Sequence, residues 1–246
     1  MDRLIHTALS GMRASMDSQR VIASNMANAN TLGFRAEMLD QRAVTIEGQR
    51  NEARAMQTAR VRGANMAAGE IVQTGRDLDI AMATDALMAV QATDGTEAYT
   101  RRGDLSVSAT GLLVNGEGLP VLGDTGPITI PPTGFPAIAP DGTITLADPA
   151  TPDQPPAEIG RIKLAAWQGS PISKGLDGLF RVEGGGILPT DEAATVTVGA
   201  VEGSNVKTTE VLVEMIDAQR LFAMRSKVIA TAREIDESGA QLMRLG

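Results

Sequence analysis

Apolar residues recur at alternating four- and three-residue steps near the start of the chain. They are Ile5, Leu9, Met12, Met16, Ala23 and Met26, with Gln19 as the polar member of the row. That spacing is the seam of a helix that packs on another helix, and it predicts one helix over 2–28. A second stripe lies beside it: Leu4, Ala8, Gly11, Ser15 and Ile22. Its small members would let another backbone come close. The far end of the chain repeats the arrangement over 206–245. Val211, Met215, Ala218, Phe222, Ile229 and Ala232 form one stripe, and Leu221, Met224, Val228, Ile235, Leu242 and Leu245 form a second. Arg225 falls in the first stripe and weakens it. Asn205 or Thr208 can cap the start, and Glu210 stands in the first turn, where the helix dipole favours it.

Between the helices the period changes. Residues 36–76 show a weak pattern punctuated by Gly48, Gly63 and Gly69, read as an extended arm with some strand. From Thr74 onward short alternating runs are separated by turn residues. Strands are expected at Leu78–Met82, Leu87–Gln91, Ala98–Arg102, Leu105–Ser108, Leu112–Val114, Ile128–Ile130, Thr143–Leu146, Ile159–Trp167, Phe180–Val182 and Thr195–Val201. Asn115-Gly116 is a hairpin signal, and Pro149 to Pro156 reads as a polar loop tip. Many short strands at this spacing predict an antiparallel sandwich or barrel. The fold class is therefore α+β: N- and C-terminal helices pairing as a coiled-coil bundle, with a central antiparallel β-rich domain. The expected divisions are 1–35, 36–76, 77–203 and 204–246.

One stretch governs the exit from the first helix. Asn25, Asn28 and Asn30 offer side-chain bonds that compete with helix. Gly33 marks a stop, and Phe34 supplies a large apolar anchor just beyond it. An ordinary helix end with Asn and Gly caps has the same composition.

Composition then narrows the chemistry. Aromatic residues are only 2% of the chain, so the core must rest on Leu, Ile, Val, Met and Ala. The net charge of −8 without a basic cluster argues against nucleic acid. The absence of cysteine removes disulfides, thiolate metal sites and thiol catalysis. No apolar run approaches the ~20 residues that span a bilayer, and the opening Met1-Asp2-Arg3-Leu4-Ile5-His6 is no secretory leader. No cofactor or metal is expected. The single histidine, His6, has no convergent partners. Asp77 and Asp79 flank Leu78 and would share one strand face, a hint of paired carboxylates that a solvated edge explains as well. Gly184-Gly185-Gly186 lacks the lysine and context of a phosphate loop. Arg101-Arg102 is too short for a basic patch. An enzyme is not expected. A carbohydrate-active β-sandwich enzyme and a peripheral membrane or secreted adhesion protein are the readings from other classes. The acidic Asp17 on the first helix argues against the membrane one.

Several runs resemble one family. Asn25-Met26-Ala27-Asn28-Ala29-Asn30-Thr31-Leu32-Gly33-Phe34-Arg35 is similar to the signature of bacterial flagellar rod, hook and hook-associated proteins. The likeness continues through Thr74 to Ala81, Val90-Gln91, Asp94-Gly95, Ala98-Tyr99-Thr100-Arg101, Leu113-Val114, Pro120 to Gly123 and Gly126-Pro127-Ile128. It returns in Glu202-Gly203-Ser204-Asn205-Val206, Val213 to Ile216, Gln219 to Phe222 and Ser226 to Ile229. Within the family the chain looks most like the proximal rod subunits, with the distal rod as the runner-up. One departure is Ala86-Leu87-Met88, where the family usually has Gly and two aromatics. The resemblance implies a structural subunit of the flagellar basal-body rod, a periplasmic drive shaft that carries motor torque to hook and filament. It implies export through the flagellar type III apparatus without a cleaved signal peptide. It implies terminal helices that form an inner tube and a β domain that faces outward. The implied partners are copies of the chain, other axial proteins including the distal rod, the export apparatus, the rod cap and the surrounding rings, with no nucleic acid and no membrane insertion. The expected assembly interface is Ile5, Leu9, Met12, Met16, Ala23, Met26, Asn28, Gly33, Phe34, Val211, Met215, Ala218, Phe222, Val228, Ile229 and Ile235.

Overall fold

The computed structural model describes residues 2–46, 54–132, 134–148 and 155–244; the side chains of 2–7, 40–46, 54–62, 236 and 239–244 fall outside the description. Two long helices bracket the chain, α1 at Asp2–Ala27 and α2 at Thr208–Arg244. Both match the spans that the seams predict. Among the described residues, everything between is strand, turn and irregular backbone, so the fold is α+β.

The chain forms two compact units. The first comprises Met1–Ala27, Glu37–Gly63 and Val206–Gly246; the second comprises Asn28–Ala36 and Ala64–Asn205. These divisions differ from the expected ones at both ends of the arm. The helix-exit segment after Ala27 belongs with the strands, and the arm is split between the units. Within the first unit the strands Glu37–Ile46 and Arg54–Ala64 pair with each other. The strand expected in the arm is thus a pair, which its weak period conceals.

The second unit is built on a five-stranded antiparallel sheet. Its order is Leu164–Ala165, Leu87–Gln91, Glu97–Thr100, Phe180–Val182 and Ile172–Lys174. Leu87–Gln91 is covered on both faces. Met88 and Val90 join the larger core with Ile80, Leu105, Leu113, Val121, Ile144, Ile162 and Leu164. Leu87 and Ala89 join a smaller one with Tyr99, Phe180 and Leu188. Period-two geometry requires this division between faces. It also shows how the aromatic-poor run Ala86-Leu87-Met88 is accommodated: one aliphatic side chain fills each core.

A three-stranded sheet joins Phe135–Ile138, Thr143–Ala147 and Ala157–Arg161, and the remaining strands form two-stranded antiparallel pairs. The sheets are therefore small and several, in place of two long facing layers. Four strands escape the alternation pattern: Leu122–Gly123, Gly126–Pro127, Phe135–Ile138 and Ile172–Lys174. Phe135–Ile138 contains Pro136, which fits because the strand lies at a sheet edge. Ile172–Lys174 is short and also an edge. The hairpin at Asn115 is present but longer than a two-residue turn. Asn115 Oδ1 accepts from the Glu117 and Leu119 amides, both at 3.0 Å. The loop tip at Pro149 to Pro156 lies largely outside the described residues.

Candidate assembly surface and the signature clasp

In the helical unit, the side of α1 that is covered is its small-residue side. Ala14, Ser15, Val21, Ile22 and Asn25 are buried, and Gly11 is half-buried. The expected seam lies mostly elsewhere: Leu9, Met16, Ala23 and Met26 are exposed, with Met16 at 55%, and Met12 is half-buried. The two stripes of α1 have exchanged roles. The reason lies on α2, where Val211 is buried and Met215, Ala218, Phe222 and Ile229 are half-buried. Bulk on that side of α2 is matched by small residues on α1. Gln19, the polar member of the expected seam, does take part, donating from Nε2 to the Ala218 carbonyl at 3.3 Å. The Ile5 side chain lies outside the described residues.

Both helices keep an uncovered apolar row. On α2, Leu221, Met224, Val228 and Ile235 are exposed, at steps of three, four and seven residues. Leu212, Val213 and Ile216, which the stripe assignment omits, are exposed too. Isolated apolar residues on a surface need no explanation, whereas a contiguous row does.

Asn25 ties the end of α1 to the strand pair. Its Oδ1 accepts from the Glu37 amide at 2.8 Å, and its Nδ2 donates to the Glu37 carbonyl at 3.0 Å. The side chain thus copies the paired bonding of a neighbouring strand.

The rest of the signature folds into the β unit. Half-buried Asn28 opens a tight turn, with its carbonyl accepting from the Thr31 amide at 3.1 Å and its Oδ1 from the Thr31 hydroxyl at 3.1 Å. Gly33 follows with φ of 67°. Its amide donates to the Glu202 carbonyl at 2.7 Å. Phe34 is buried, and Lys174 Nζ stands 3.4 Å above its ring centroid while donating to the Arg35 carbonyl at 2.9 Å. That geometry is a cation–π contact held in place by a hydrogen bond. Gly33 and Phe34 therefore serve the chain's own packing; as a surface for other subunits they are covered.

Beneath them lies a buried charge cluster. Glu202 faces two guanidiniums: Arg35 Nη1 is 2.6 Å from Oε1, and Arg101 Nε and Nη2 are 2.7 and 2.6 Å from Oε2. Arg35 and Glu202 are 1% exposed. Arg101 also donates to the carbonyls of Met82, Thr84 and Ala86, so all three of its nitrogens are engaged. Arg35 is less well served, since its Nε is buried without a hydrogen-bond partner among the described residues. Burial lowers the Arg35 pKa, and the attraction of Glu202 offsets part of that. Asn205 completes the clasp. Its Oδ1 accepts from the Ala36 amide at 2.7 Å, and its Nδ2 donates to the carbonyls of Asn65 and Ala67 at 2.7 and 2.8 Å. It is not the cap of α2; its side chain is fully committed to loop backbone at Ala36, Asn65 and Ala67. Asn205→Ala should leave these three groups without their partner and cost about 1–3 kcal/mol. Urea unfolding followed by Trp167 fluorescence measures the loss.

Arg101 and Arg102 thus have separate duties. Arg102 pairs with Asp104 at 2.8 Å and Glu117 at 3.2 Å. The Asp77 and Asp79 pair dissolves: Asp77 is an exposed turn residue, whereas Asp79 is buried and accepts from the Thr74 hydroxyl at 2.6 Å. No shared strand face brings the two carboxylates together.

Three family models match in chain order. They are the flagella basal body rod protein over 5–35, the flagellar hook protein FlgE/F/G D1 domain over 81–146, and the flagellar basal body rod FlgEFG protein C-terminal region over 197–242. Over its full length the chain is 40% identical to the whole flagellar basal-body rod protein FlgF of Salmonella typhimurium, and 39% identical to that of Escherichia coli. It is 31% identical to FlgG of Bacillus subtilis, covering 99% of this chain and 100% of that protein. The two ends of the clasp, Arg35 and Glu202 with Asn205, fall inside the first and last matched regions, and by this likeness the chain belongs to the flagellar basal-body rod proteins, structural subunits of the flagellum and not enzymes.

Proposed function

We infer that the chain is a proximal-rod subunit. It assembles helically with copies of itself and with other rod proteins into the periplasmic shaft that carries torque from motor to hook and filament. Its relatives support the rod assignment, and the higher identity to FlgF than to FlgG favours the proximal position over the distal one. Within each subunit α1 and α2 pair as a coiled coil, and this helical unit forms the inner tube. The subunit reaches its site through the flagellar type III export apparatus, and the growing rod meets its cap and the surrounding rings.

The observation that carries this reading is the exposed row Leu221, Met224, Val228 and Ile235 on α2, with Leu9, Met16 and Met26 as its counterpart on α1. Each row needs apolar surface from outside the subunit. A contact between unlike rows repeats from copy to copy, and where its rotation does not close it builds a helical shaft. Such a shaft is stiff because packed interiors resist deformation.

Val228→Asp tests it. Val228 is exposed, so the isolated subunit should keep its α-helix content and its Trp167 unfolding transition. In the assembled state the carboxylate would be buried without a partner, which is costly. Incorporation into basal bodies and swimming should both be lost; normal motility would overturn the assignment. Met215→Asp and Phe222→Asp, on the half-buried side of α2, should abolish assembly and loosen the helical unit as well.

A further inference from the structure

Arg225 sits in the middle of the bulky row that α2 turns inward, between Phe222 and Ile229. A long cation there has no apolar purpose. Its Nη1 donates to the Gly11 carbonyl and to the Ser15 hydroxyl of α1. The Gly11 carbonyl lies mid-helix, where its own ladder bond leaves one lone pair free. The lack of a side chain at Gly11 is the reason the guanidinium can reach it. A Cβ on Gly11 would lie 3.7 Å from the guanidinium carbon, so a longer side chain would take its place. A second contact, Gln19 to Ala218, stands two turns along α1. The pairings 11 with 225 and 19 with 218 run in opposite senses, so the helices are antiparallel.

Apart from these contacts, the facing rows consist of Val, Met, Ala, Ile, Phe and Ser, with Asn25 turned to Glu37 of the strand pair. Such rows tolerate sliding, because methionine adapts to irregular gaps and one apolar pair substitutes for another. A slip of one heptad moves the guanidinium against Leu4 and Ala8 in one direction, or Ser18 and Ile22 in the other. The bulk of Leu4 or Ile22 then stands between the cation and the backbone. A buried polar group in an apolar seam is a recognised way to fix register.

We propose that Arg225 sets the register of α1 against α2: its bond to the Gly11 carbonyl and Ser15 hydroxyl selects one antiparallel alignment from several of similar apolar fit. This rests on the pairing of the two helices within each subunit.

The sequence has no cysteine, so engineered pairs report register without background. Full-length chain carrying Ala218→Cys is combined with Gln19→Cys for the observed register, or with Met12→Cys or Met26→Cys for slips of one heptad either way. Dilute monomer is oxidised, and the intramolecular cross-link is scored on a gel. With Arg225 present, only the Gln19→Cys pair should close. Failure of that pair to close would refute the pairing itself, whatever Arg225 does. With Arg225→Met, a slipped pair should close with at least tenfold higher yield than in its Arg225 counterpart. Gly11→Leu, which fills the guanidinium's space from the other helix, should give the same redistribution. Closure of the Gln19→Cys pair alone in Arg225→Met would overturn the proposal. Loss of every cross-link in that variant would also overturn it, since Arg225 would then hold the helices together and not choose between alignments.

Discussion

Glu202→Gln should unfold the β unit far more readily than removal of Arg35, the less well served of the two arginines that face it. The substitution leaves Arg35 and Arg101 buried with no carboxylate between them. Removing one partner of a buried ion pair costs about 3–5 kcal/mol, because the remaining charge is desolvated without compensation. Here two like charges would also face each other. Arg35→Met is expected to cost less than half as much. Glu202 would keep both contacts to Arg101, and a cation whose desolvation already lowers its pKa would be gone. The single Trp, Trp167, packs with the Tyr99 and Phe180 cluster, so its fluorescence reports on this unit in urea. The asymmetry is the test. Equal losses for Glu202→Gln and Arg35→Met would mean that shape, and not charge balance, holds the clasp.

The second large effect belongs to Gly33→Ala. A Cβ there would lie 2.4 Å from the Arg101 carbonyl carbon and the Arg102 amide nitrogen. Both are backbone atoms, so no rotamer change relieves the overlap. The φ of 67° adds roughly 1–2 kcal/mol for any residue with a Cβ. The signature segment should therefore lift away, breaking the bond from the Gly33 amide to Glu202. Hydrogen exchange at residues 33–36 should accelerate even where the Trp167 transition moves little. Unchanged protection at those amides would contradict the geometry. Cells carrying the variant should swim poorly, because the segment that follows α1 would lose its anchor.

The helices were the most legible part of the chain. Sustained heptad spacing over 2–28 and 206–245 could be satisfied only by helix, and α1 and α2 fill those spans. The short strands were nearly as clear where alternation was intact, as in Leu87–Gln91 and Phe180–Val182. Edge strands with proline or few residues left weaker traces. The clasp was half visible. Arg35, Glu202 and Asn205 stand in runs that resemble the family, and Arg101 follows the apolar strand Ala98-Tyr99-Thr100, where a charge is out of place. A charged residue beside a buried strand was the available signal, but one sequence does not say which carboxylate answers it.

Which stripe of α1 meets α2 was settled only by packing. Periodicity marks a residue as apolar and on a given face; it does not weigh bulk against bulk. Once α2 presents Met215, Phe222 and Ile229 inward, only the Gly11, Ala14 and Ser15 side of α1 can come close enough. Leu9, Met16 and Met26 are then left outside. Local sequence thus determined that this protein has two long helices with apolar stripes, a β-rich middle and the marks of a rod subunit. The carboxylate that answers Arg35 and Arg101 and the covered face of each helix were decided in three dimensions, because both depend on residues 101 to 214 positions apart being brought together.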